Sequence, residues 1–235
     1  MKPYRSLFFD LDDTLWAFHL NARHTLEEMY HRLDYGRWFT GFPQFLALYE
    51  RRNEQLWEDY GRGLVTKDEL NRQRFLYPLE AVGAADAALA QAFMEGFFSI
   101  IPTCSRLMPH CREVLDYLQP RYRLYILSNG FEELQVRKMR SAGIDGYFRR
   151  VVLSDEIGLL KPRAELFHYA LSATQSELRS SLMVGDSWAN DVAGAAAVGM
   201  DQVYYDVTAT GCDPSQLPFR PTYHIRDLRE LMTFL

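Results

Sequence analysis

The chain has 235 residues, 48% hydrophobic and 24% charged, with a formal net charge of −5. That length suits one large domain or one domain carrying an insertion, and the composition is that of a globular chain. The acidic balance lacks the basic footprint of a binder of nucleic-acid polymers, and no window reaches the ~18 uninterrupted apolar residues of a membrane helix. The N-terminal MKPYRSLFFDLDD does not read as a signal peptide, because its apolar stretch is short and broken by Asp10. Cys104, Cys111 and Cys212 make an odd set without a CxxC pair, which suits neither a disulfide framework nor a zinc site and fits a reducing, cytoplasmic setting.

The first element is the apolar run SLFFD (6–10), which opens the stretch FFDLDDTLWAF (8–18). Asp10, Asp12 and Asp13 crowd the edge of this buried strand, where carboxylates repel one another and lose solvation unless a cation or a proton relieves them. Residues 16–104 then hold almost ninety positions, too many for one crossover helix. Leu20, Leu26, Met29, Tyr30 and Leu33 suit one face of an amphipathic helix. Thr66 and Glu69 form a capping box ahead of another, and Ala84–Phe98 has helical character. The region reads as an all-helical insertion after the first strand. Trp16, Phe18, Trp38, Phe39 and Phe42 in or near it are either its core or, for one or two, a stacking surface for a substrate base.

Four further strand-like runs follow: RLYILSN (123–129), RVVLSD (150–155), SLMVGD (181–186) and QVYYD (202–206). Helical stretches separate them. Phe131–Ala142 closes at Gly143, a C-cap position; the others are Arg163–Thr174 and Asn190–Val198, the latter ending at Gly199. This alternation predicts an α/β fold with a doubly wound parallel sheet. The six histidines show no ligand spacing, although His24 and His31 lie seven apart in one predicted helix.

In such a sheet, ligands bind beyond the carboxyl ends of the strands. Asp10 and Asp12, Ser128 and Asn129, and Asp186 all fall at predicted strand ends, joined by Lys161 and by Asp191. Carboxylates at this density favour a hard divalent ion such as Mg²⁺. A lysine and a hydroxyl beside it suit a phosphoryl group. Asp13 and Thr14 are expected to shape the turn through side-chain to backbone bonds.

FDLDDTL (9–15), LSNG (127–130), Lys161-Pro162 and GDSWAND (185–191), in this order, resemble the four motifs of the haloacid dehalogenase-like (HAD) phosphohydrolase superfamily. The resemblance implies a Rossmann-like core over 1–15 and 105–235, with strand order 3-2-1-4-5, and a C1-type cap over 16–104. It also implies a reaction. Asp10 would be the nucleophile that forms an aspartyl-phosphate, and Asp12 the acid and then the base. Asp10, Asp12 (through its main-chain carbonyl) and Asp186 would hold the Mg²⁺, with Asp191 direct or behind them. Ser128, Asn129 and Lys161 would bind the phosphate.

The paired Asp10-x-Asp12 separates phosphotransfer from the superfamily's dehalogenases. FFDLDDTLW, LSNGFEELQVRKMRSAGI and SDEIGLLKP (154–162) are similar to the bacterial pyrimidine 5′-nucleotidases, including Asn129-Gly130-Phe131 and Gln135, although Ser128 stands where those enzymes often carry Thr. The implied partner is therefore a small phosphorylated metabolite, a nucleoside 5′-monophosphate first. A sugar-phosphate or phosphoglycolate phosphatase, or a phosphomutase, shares the same core motifs. A non-enzymatic phospho-receiver module is a third reading, weakened by the long insertion and by an acceptor on the first strand. Oligomeric state is not legible.

Overall fold

The apolar runs become strands of nearly the predicted extent. In a computed structural model, which describes residues 4–207 and 217–235, β1 (Ser6–Phe9), β2 (Arg123–Ser128), β3 (Arg150–Leu153), β4 (Ser181–Gly185) and β5 (Asp201–Tyr205) pair in parallel. The order is β3-β2-β1-β4-β5-β6, which matches the predicted doubly wound sheet. A sixth strand, β6 (Tyr223–Ile225), extends it. At three residues β6 has too little alternation to be read from sequence. Cys212 lies outside the described residues.

The chain divides into two compact units, one of residues 1–18 and 105–235 and one of residues 19–104. In the first, β1 is the centre of the sheet and is buried along its whole length. Its apolar residues, like those of β2 and β4, leave no solvent face, as expected where helices cover both sides. On one face Phe8, Tyr125, Leu127, Leu166, Phe167 and Met183 form a core cluster. The helices of this unit are α5 (Cys111–Leu118), α6 (Glu132–Ser141), α7 (Ala164–Ala173) and α8 (Ala193–Ala197), numbered after four that start earlier in the chain. Gly143, at φ +60°, ends α6 as predicted.

Register does the positioning. Phe9 lies opposite Ile126 of β2 and Val184 of β4. Residues just beyond them, Asp10, Ser128 and Asp186, therefore leave the sheet at the same end. The predicted helix Asn190–Val198 is instead a π-helical turn, Trp188–Val192, running into the short α8. Ser187 caps that turn by accepting from Asn190 N (3.2 Å).

The second unit is helical. It contains α1 (Phe18–Arg32, from His19 onward), α2 (Phe42–Gly61), α3 (Lys67–Ala81) and α4 (Ala87–Ile100). The Thr66–Glu69 capping box is present in both directions, and Asp86 caps α4 by accepting from Leu89 N (2.9 Å). In α1 the buried face carries Ala22, Leu26, Met29 and Tyr30, whereas Leu20 is 52% exposed and falls off the predicted stripe. The core is aromatic: Phe45 is fully buried, with its ring 5.2–5.4 Å from those of Phe93, Tyr35 and Phe39. Phe39 and Phe42 belong to this packing, while Trp38 stays partly exposed, edge-on to Tyr35. No helix of the described residues is long and apolar enough to cross a membrane.

Candidate active site

The site grows from the end of β1. Asp10 N donates to Val184 O of β4 (2.9 Å), which carries the strand pairing one residue further. The chain then turns sharply, with Leu15 N and Trp16 N both donating to Leu11 O. Asp13 takes a left-handed conformation (φ 59°), which Asp tolerates better than most residues. Contrary to the expectation from sequence, Thr14 bonds outside this turn. Its Oγ1 donates to Asp186 Oδ1 (3.1 Å) and accepts from Asp186 N (3.0 Å). It thus ties the β1 loop to the β4 loop, a long-range contact that local turn chemistry does not reveal.

Lys161 is the hub of the buried charge. Its Nζ donates to Asp10 Oδ1 (2.6 Å), Asp191 Oδ1 (2.7 Å) and Leu127 O (2.7 Å). All three ammonium protons are thereby committed. Burial disfavours the ammonium, but the charges of Asp10 and Asp191 outweigh it and raise the Lys161 pKa. Burial also pushes the Asp10 carboxyl well up; Lys161 opposes that, and Asp191, Asp186 and Asp12 add to it. Asp186 is raised to about 7 by burial and by the charges of Asp191 and Asp13, against the Thr14 hydrogen bond and Lys161.

Two glycines make room for this arrangement. A Cβ on Gly185 would sit 2.2 Å from Asp191 Oδ2. Asp191 also accepts from Ser187 N through Oδ2 (3.1 Å), so both its oxygens are held inside the protein. A Cβ on Gly130 would sit 2.2 Å from Gln135 Nε2. Gln135 Nε2 donates to Ser128 Oγ (2.8 Å) and to Asp12 Oδ2 (2.8 Å). Ser128 Oγ accepts a second bond from Gly130 N (3.1 Å). With both lone pairs occupied, its own proton remains to donate.

Asn129 turns its amide to the main chain of Lys161, donating to Lys161 O (3.0 Å) and accepting from Lys161 N (2.7 Å). Its bonds therefore fix the Lys161 loop. Asp12 receives a further bond on Oδ1 from Lys138 Nζ (2.8 Å). Lys138 has no role in the reading from sequence, although it lies within LSNGFEELQVRKMRSAGI, and its spacing of three from Gln135 on the helix after Asn129-Gly130 puts both on one face. The histidines take no part: His24 and His31 are exposed.

Asp10, Asp186 and Asp191 are the His, Cys or acidic group with metal-holding spacing among the described residues, with donor atoms within 4.8 Å of one another. An all-oxygen, partly buried set in which burial and neighbouring acids push the Asp10 and Asp186 carboxyls up fits a hard divalent cation. Its charge relieves the same crowding.

Residues 4–199 match the family described as haloacid dehalogenase-like hydrolase. YfnB of Bacillus subtilis is 30% identical over 237 residues, covering 100% of this chain and 97% of that one. A YfnB crystal structure bound to magnesium has a TM-score of 0.86 at 26% identity, covering 100% of this chain and 99% of that one. Pyrimidine 5′-nucleotidase YjjG of Escherichia coli is 32% identical over 83% of this chain and 82% of its own length. A glyceraldehyde 3-phosphate phosphatase of Pyrococcus abyssi is 30% identical over 85% of this chain and 80% of its own.

Proposed function

Because the chain belongs to the haloacid dehalogenase-like hydrolase family, we propose that it is a Mg²⁺-dependent phosphohydrolase. It cleaves a small phosphate monoester through a phosphorylated aspartate, with nucleoside 5′-monophosphates preferred. One observation carries this reading: a buried carboxylate (Asp10), an ammonium locked against it (Lys161) and a hydroxyl with an uncommitted proton (Ser128) converge at adjacent strand ends.

Asp10 Oδ1 is fixed by Lys161, which leaves Oδ2 for the incoming phosphorus. Ser128 donates its proton to a phosphoryl oxygen, and Lys161 contributes charge from behind Asp10. In the first step an oxygen of Asp10 forms a bond to phosphorus while the bond from phosphorus to the ester oxygen breaks. Asp12 gives its proton to that oxygen, and the alcohol leaves. In the second step the Asp12 carboxylate takes a proton from water, whose oxygen bonds to phosphorus as the Asp10–phosphorus bond breaks. Inorganic phosphate departs with Asp10 free and Asp12 protonated again. Asp10, the main-chain carbonyl of Asp12 and Asp186 would hold the Mg²⁺, with Asp191 behind them holding Lys161. The ion supplies positive charge that offsets the phosphate against these acids.

The substrate preference is supported by the likeness to YjjG. The likeness to the P. abyssi phosphatase favours a second reading, a sugar-phosphate or phosphoglycolate phosphatase with the same core. Phosphate release from UMP, dUMP, dTMP, AMP, phosphoglycolate, glyceraldehyde 3-phosphate and β-glucose 1-phosphate, with Mg²⁺ or with EDTA, separates them. Metal-dependent turnover strongest on the pyrimidine monophosphates supports the nucleotidase, and turnover confined to the others supports the second reading. Asp10→Asn is expected to remove all measurable turnover with the fold kept; an active Asp10→Asn enzyme contradicts the mechanism.

A further inference from the structure

We propose that Lys138 and Gln135 are positioning residues that clamp the Asp12 carboxylate in the attitude from which it exchanges its proton with the leaving oxygen and with water. This rests on the role given to Asp12 above. Both come from one face of α6, three residues apart, and each holds a different oxygen: Lys138 Nζ on Oδ1 and Gln135 Nε2 on Oδ2, both at 2.8 Å. Two donors on two oxygens fix the carboxylate plane, where a single bond would leave it free to rotate. Each oxygen keeps a second lone pair for the transferred proton.

The clamp is itself held rigidly. Lys138 is 4% exposed, and its ammonium lies 4.6 Å from the Trp16 ring centroid and 5.1 Å from that of Phe18. Aromatic faces of this kind attract and orient a cation. Gln135 is fully buried and also bonded to Ser128, so the acid and the phosphate-binding hydroxyl are set by one side chain. Gly130 has no Cβ to push Gln135 aside. Burying an ammonium and an amide N–H is costly unless a partner accepts from them. Asp12 is the one carboxylate to which Lys138 Nζ and Gln135 Nε2 both donate, while Gln135 Oε1 stays buried without a partner among the described residues.

A misplaced Asp12 hurts most when the leaving group needs its proton. Nucleoside alkoxides need it; p-nitrophenolate leaves without it. In either case, the second step still needs Asp12 to take the proton of water. Lys138→Met should therefore lower kcat on UMP by about 10²-fold, the lower end of a general acid–base contribution, with KM unchanged. On p-nitrophenyl phosphate it should release one equivalent of p-nitrophenol at the wild-type rate and then turn over slowly. If Lys138→Met does not fold, Gln135→Met carries the same dependence on the leaving group, with KM raised as well because Gln135 also holds Ser128. Equal slowing of the first turnover on both substrates, a KM effect alone, or wild-type kinetics overturns the clamp. Asp12→Asn is the reference. If it shows the leaving-group pattern and the clamp variants do not, the clamp alone fails. If Asp12→Asn turns over UMP at the wild-type rate, the role of Asp12 fails and the clamp with it.

Discussion

The two units solve burial in opposite ways. At the sheet end of the first, Asp10, Lys161 and Asp191 place charge in the interior and satisfy it with one another. The core of the second is built from rings, with Phe45, Phe93 and Tyr35 packed within 5.5 Å of one another. Its one buried cation, Arg74, bonds to the neutral Asn53 and Asn71 and lies over the Phe98 ring. Buried ions are costly unless paired, so paired ions at strand ends mark a site that chemistry requires. Aromatic packing contributes stability without specifying a reaction.

Breaking the charged hub should have the largest effect. Lys161→Met strands Asp10 and Asp191 inside the protein and should cost about 3–5 kcal/mol together with all turnover, read by urea unfolding and phosphate release. In the ring-packed core, Phe45→Ala should cost about 3–5 kcal/mol through its cavity, read by the same unfolding midpoint. There the loss is of stability and leaves the charges at the sheet end in place.

The pH dependence sharpens the contrast. The folded Asp186 carboxyl keeps its proton up to about pH 7, while an unfolded one loses it near pH 4. The folded state therefore binds more protons in that window, and stability in EDTA should fall as pH rises from about 4 to 7. Asp186→Asn should flatten the slope in a series of urea midpoints. Mg²⁺ at a hundred times its Kd should add about 2.7 kcal/mol above pH 7. The smallest effect belongs to the helical unit's surface: Thr66→Ala removes the α3 capping box and should cost about 1 kcal/mol in the same assay.

The same contrast explains what could be read from sequence. Parallel strands with polar ends let Asp10, Ser128 and Asp186 be placed together from sequence, and the resemblance to the family's motifs gives Lys161 and Asp191 their roles beside them. Lys138 could not be placed this way, because an isolated lysine in an amphipathic helix reads as a solvated one. Thr14 was expected to bond locally, yet it reaches Asp186 across 172 residues. Gly130 and Gly185 carry no role in the reading from sequence, whereas the structure assigns each to a side chain that needs its space. In the helical unit, Leu20 fits a 3.6-residue stripe and still lies outside, since periodicity alone does not say where the next helix packs.

The most direct test of the mechanism is to find the phosphorylated residue. The enzyme would be quenched in acid during turnover of p-nitrophenyl [³²P]phosphate with Mg²⁺, and the labelled peptide mapped. The account predicts hydroxylamine-labile label on Asp10 and none in the Asp10→Asn enzyme. Label on any other residue contradicts it.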